Sequence, residues 1–86
     1  MDDTAIFPNP AQSDLFLNLK EYAGKKGRVE IANMYGQTLD NLTLETIPGD
    51  LVRMDLSQFA NGMYLIKIKV DKSDFFTQKF MIGKMY

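Results

Sequence analysis

The chain has no cysteine, no histidine and no tryptophan. Without cysteine there is no disulfide, no thiolate nucleophile and no Cys-ligated zinc. That absence does not fix a compartment, because exported bacterial proteins also commonly lack cysteine. Without histidine the commonest general base and the commonest metal ligand are missing. Carboxylates can still hold a hard cation, but the aspartates sit mostly where turns are expected, and their spacing fits no calcium loop. No apolar run approaches the ~18–20 residues of a membrane span. Ten basic against eleven acidic residues leave a net charge of −1, which makes no electrostatic case for nucleic acid or an anionic membrane.

What is present suits one small globular domain. A chain of 86 residues buries roughly 60–65% of its unfolded surface. The hydrophobic share of 45% and charged share of 24% argue against a disordered tail. Met1-Asp2-Asp3-Thr4 lacks the basic start of a secretory signal, and no apolar signal core follows it. The chain is therefore either cytoplasmic or a piece of a longer protein. The second reading is preferred, with Met1 an added start residue and residues 1–5 a linker remnant ahead of a domain over 6–86.

The hydrophobic period is two throughout. Ile6 to Pro10 is extended, because proline restrains its predecessor and cannot donate to a central ladder; it suits an edge or lead-in. Leu15, Leu17 and Leu19 alternate with polar or outward positions, followed by a turn over Gly24–Gly27. Arg28–Ala32 forms a strand with Val29 and Ile31 on one face. Asn33–Gln37 is a turn with Gly36 as its positive-φ residue. Thr38–Thr46 alternates loosely, Pro48-Gly49-Asp50 turns, and Leu51–Leu56 is another short strand. Ser57–Gly62 connects, with room for one helical turn. Tyr64, Ile66, Ile68 and Val70 share one face of the clearest strand, opposite Leu65, Lys67 and Lys69. A hairpin turn at Asp71–Asp74 leads into Phe75–Ile82, where Phe76, Phe80 and Ile82 share a face. Six or seven short strands at this spacing predict an all-β, antiparallel, immunoglobulin-like β-sandwich.

Five pieces stand out in fixed order: Phe7-Pro8-Asn9-Pro10-Ala11, Val29 to Gln37, Asp55-Leu56-Ser57, Gly62 to Ile68, and the closing Lys79 to Lys84. Each piece is weak alone, but the ordered set resembles the C-terminal sorting domain of the type IX secretion system of Bacteroidetes. The resemblance covers Phe7 to Lys84, with Met85-Tyr86 extending past the closing lysine. It implies a non-catalytic secretion signal, read at Pro8, Asn9, Pro10, Gly36, Gly62, Tyr64, Lys79 and Lys84. Implied partners are the outer-membrane translocon, shuttle proteins, a surface sortase and an upstream cargo in the same chain, with no cofactor, metal or nucleic acid. Implied destination is the cell surface or medium, through the periplasm and outer membrane. Many cargoes of that family are joined to anionic lipopolysaccharide. The family's cleavage falls in the linker before the domain, so Asp2 to Ala5 is its remnant or the site lies outside the chain.

Each motif also has a plainer reading. Pro8 and Pro10 can simply protect an edge strand. Gly36 and Gly62 serve backbone geometry, and Tyr64 is a core aromatic with its hydroxyl at the rim. Lys67 and Lys69 are a solvated face, while Lys79 and Lys84, as exposed amines, suit both solubility and docking. The competing class is an immunoglobulin-like or carbohydrate-binding module, with the four tyrosines as a stacking platform. A purely structural spacer is a third reading. No pocket for Ser/Lys or paired-carboxylate catalysis is expected in so small a sandwich.

Overall fold

The computed structural model describes residues 6–71 and 74–84. Seven strands follow one another: β1 (Ile6–Phe7), β2 (Asp14–Leu17), β3 (Gly27–Asn33), β4 (Thr38–Leu44), β5 (Val52–Asp55), β6 (Gly62–Val70) and β7 (Asp74–Ile82). They form a three-stranded sheet in the order β1-β2-β5 and a four-stranded sheet in the order β4-β3-β6-β7. Every strand pair is antiparallel. The all-β sandwich expected from the alternation is therefore what the chain adopts.

Alternation sets which face is buried. In β6, Tyr64, Ile66, Ile68 and Val70 point inward, while Leu65 and Lys67 are half-buried and Lys69 is exposed. Leu15 and Leu17 of β2, Val52 and Met54 of β5, and Val29 and Ile31 of β3 meet them from both sheets in one core with Leu19, Phe80 and Ile82. Each such apolar side chain contributes about 1.5–3 kcal/mol by leaving water. The core therefore outweighs any single turn hydrogen bond, at about 1 kcal/mol.

Two local details differ from the sequence reading. The only 3₁₀ helix among the described residues is at Lys20–Tyr22, whereas the connection after Leu56 makes one hydrogen-bonded turn, Phe59 N donating to Leu56 O at 3.0 Å, and no helix. Gly27 belongs to β3 rather than to the preceding turn. Its Cα lies against Ile47, whose Cδ1 would be 2.8 Å from a Cβ there, so the missing side chain makes room for a core isoleucine. The hairpin expected at Asp71–Asp74 lies partly outside the described residues.

The chain between β1 and β2 changes sheets. β1 pairs with β2, but Ala11 bridges in parallel to Ile82 of β7. The start of the domain is thus stitched to both sheets, and to the end of the last strand.

Candidate functional site

The Phe7–Ala11 piece is shaped by its prolines. Both the Phe7–Pro8 and Asn9–Pro10 peptides are cis, and the segment lies along the outer edge of β7. Ala11 N donates to Met81 O at 2.8 Å, and Gly83 N donates to Ala11 O at 2.8 Å. Asn9 adds a side-chain bond, its Oδ1 accepting from Met81 N at 2.9 Å. The prolines carry no N–H, so Asn9 and Ala11 supply the pairing. Pro8 and Pro10 remain exposed on the surface.

The same end of the closing strand is also held by Asn61 and Ser57. Lys84 N donates to Asn61 Oδ1 at 2.9 Å, and Lys84 Nζ donates to Ser57 O at 3.0 Å. Lys84 is half-buried and tied to the fold, which departs from the expectation of two exposed terminal amines. Lys79 does match that expectation: it is exposed and pairs in register with Leu65.

Asp55-Leu56-Ser57 forms the platform under Lys84. Asp55 Oδ1 accepts from Ser57 N at 2.9 Å, an Asx-type turn. Leu56 N donates to Ser13 O at 2.8 Å, and the Leu56 side chain is fully buried. The backbone hydrogen bond from Ser57, with its side-chain bond, holds the Asp55 carboxyl below the usual carboxylate range; Arg53 and Lys84 add weaker attraction.

Tyr64 is internal. Its ring packs against Phe59 at 5.6 Å and Phe80 at 5.9 Å between centroids, and its hydroxyl donates to Ala60 O at 2.6 Å. Gly62, at φ 152°, lets the chain enter β6 directly after Asn61. Gly62 pairs with Ile82 and Tyr64 with Phe80, so this piece and the closing strand are neighbours.

The Val29–Gln37 piece closes a hairpin at the same end of the four-stranded sheet, since Asn33 pairs with Tyr64. Asn33 Oδ1 accepts from Tyr35 N and from Gln37 N, each at 3.0 Å, and Asn33 Nδ2 donates to Gln37 Oε1 at 2.8 Å. Gly36 sits at φ 87°, a left-handed geometry that costs other residues free energy. Here the Asn-x-x-Gly-Gln spacing is a loop-building instruction.

All five pieces are thus joined: Phe7–Ala11, Asp55–Ser57 and Gly62–Ile68 each contact the closing piece, and Val29–Asn33 pairs in register with Tyr64–Ile68. The sequence reading puts Asn33 in a turn and Ala11 in a motif piece but singles out neither of them, nor Asn61, as a site residue. The signals were available: Asn before Gly at a strand entry, and Asn opening a turn that closes on Gly-Gln. An open cleft of about 510 Å³ beside this region is lined by Leu39, Asp40, Asp55, Gln58 and Phe59. It offers two carboxylates, Asp40 and Asp55, and a carboxamide, Gln58. Among the described residues no three acidic side chains converge as a metal site. The three described tyrosines do not form one platform: Tyr64 is buried, Tyr22 packs against Phe76, and Tyr35 projects from the β3–β4 loop.

A family model described as the secretion system C-terminal sorting domain matches residues 5–83, and the chain belongs to that family. No curated protein and no solved structure matches the chain.

Proposed function

We propose that this member of the sorting-domain family acts as a signal read in its folded form. In this reading it brings an upstream cargo, with shuttle proteins, to the outer-membrane translocon of the type IX route. A surface sortase then removes it by cutting ahead of Phe7, and the cargo reaches the cell surface or medium. The observation that carries the proposal is the contact between Asn9 and Met81. It joins the first and last motif pieces into one composite surface that an unfolded chain does not possess.

The motif residues divide by position. Pro8, Pro10 and Lys79 are exposed and are assigned to partner contact. Asn9, Gly62, Tyr64 and Lys84 hold the composite surface in shape, and Gly36 shapes the adjacent hairpin. Strand addition at the edge of β7 is a mode suited to such a surface. The Asn9–Ala11 segment occupies that edge only around Met81 and Gly83.

The test is a fusion of a signal peptide, a fluorescent reporter and this domain, expressed in a host with the type IX system. The reporter is expected at the surface or in the medium, free of the domain. Retention of the fusion in the periplasm, or export that persists without the domain, would overturn the reading.

A further inference from the structure

The outward face of the four-stranded sheet has a charge distribution that the net charge conceals. Register places Arg28 beside Lys69, Glu30 beside Lys67, and Lys79 beside Leu65 on this one face. The strand positions of this face therefore hold four of the chain's ten basic residues and one of its eleven acidic residues. Arg28 Nε pairs with Glu30 Oε1 at 3.2 Å. Lys67, Lys69 and Lys79 have no carboxylate partner among the described residues.

Two further features lie on the same face. At one end a shallow cleft of about 240 Å³ is lined by Lys26, Gly27, Arg28, Thr43, Lys69 and Asp71. Its basic groups and a hydroxyl suit a phosphate ester, although Asp71 faces the same space and Lys26 lies 3.9 Å from Glu45. At the other end Met63 and Met81 are register partners, 41% and 42% exposed, with Leu65 next to them. Lysines above apolar side chains on a flat surface match the headgroup boundary of a bilayer.

Composition selects between a protein and a lipid surface. Lysine is depleted at stable protein interfaces, whereas attraction to anionic headgroups grows with each added cation. We infer that the face carrying Arg28, Lys67, Lys69 and Lys79 docks the domain onto an anionic phospholipid surface, with a headgroup phosphate in the Arg28–Lys69 cleft.

The test is co-sedimentation of the domain with vesicles of phosphatidylcholine alone or mixed with phosphatidylglycerol. Binding is expected only to the mixed vesicles, weakening as salt rises. The variant R28Q/K67Q/K69Q leaves Lys79 and the proline segment untouched, and circular dichroism verifies its fold. Each charge near such a surface is worth roughly fivefold in partitioning, so the variant is expected to bind on the order of 100-fold more weakly. A conservative R28K/K67R/K69R variant should retain binding, which keeps the test informative if the glutamine variant unfolds. Equal binding to both vesicle types, no binding at low salt, or full binding by a folded R28Q/K67Q/K69Q protein would overturn the inference. Binding to polyglutamate without binding to vesicles would overturn it as well and move the face to an acidic protein partner. Reporter export does not enter this test, so the sorting proposal stands or falls separately.

Discussion

Asn9 and Met81 are 72 residues apart and joined by one hydrogen bond, from the Met81 amide to the Asn9 carboxamide at 2.9 Å. With the two Ala11 backbone bonds, it caps the C-terminal end of the outer edge of β7 with the start of the domain. Asn9→Ala removes the acceptor and is expected to cost about 1 kcal/mol. Hydrogen exchange at the Met81 amide should accelerate while the β3–β6 ladder keeps its protection. An unchanged Met81 exchange rate would show that the segment is held by the Ala11 bonds alone.

The two closing lysines should separate in stability. Lys84→Ala loses the bond to Ser57 O and a half-buried stem, at about 1 kcal/mol. Lys79→Ala, on the open face, should stay within ~0.5 kcal/mol. Urea midpoints decide between them, and equal shifts would show that the Lys84 contact contributes nothing in solution.

Strand faces are tested at Ile66 and Lys67. Ile66 is fully buried, so Ile66→Ala is expected to cost about 2–5 kcal/mol. Lys67→Ala should cost within ~0.5 kcal/mol. A larger loss at Lys67 in denaturant melts would reverse the faces.

The β3–β4 loop should depend on Asn33 and Gly36 but not on Tyr35. Asn33→Ala removes the side chain that serves three hydrogen bonds, and about 1–2 kcal/mol should be lost. Gly36→Ala places a Cβ at φ 87°, for about 1 kcal/mol. Tyr35, 93% exposed, should be neutral when changed to Ala. A destabilising Tyr35→Ala would mean the ring packs onto the sheet.

Asp55 gives a pH dependence of defined sign. Its carboxyl titrates below the ordinary value of 3.8 because the Ser57 bonds favour the anion. The stabilisation is therefore complete above the unfolded value and disappears as pH falls through the lower folded value. A carboxyl-detected NMR titration should place Asp55 below the ordinary value of 3.8, and Asp55→Asn should remove that part of the acid dependence. A midpoint at or above the ordinary value would mean the turn does not hold the anion.

The sequence by itself determined the strand faces and the turn at Asn33–Gln37. Period-two alternation at Leu15/Leu17, Val29/Ile31 and Tyr64/Ile66/Ile68/Val70 reports which side of each strand meets the core, because adjacent residues in a strand point oppositely. Gly36 reports its turn for a similar local reason. Tertiary structure decided what those elements face. No local pattern tells that Asn9 reaches Met81, that Asn61 and Ser57 hold Lys84, or that the chain crosses sheets at Ala11; these are hydrogen bonds between segments brought together only by the packed core. Nor does a net charge of −1 reveal a basic face. Charge becomes a surface property only when β3, β6 and β7 lie side by side, because register, not order along the chain, puts Arg28, Lys67, Lys69 and Lys79 on the same plane.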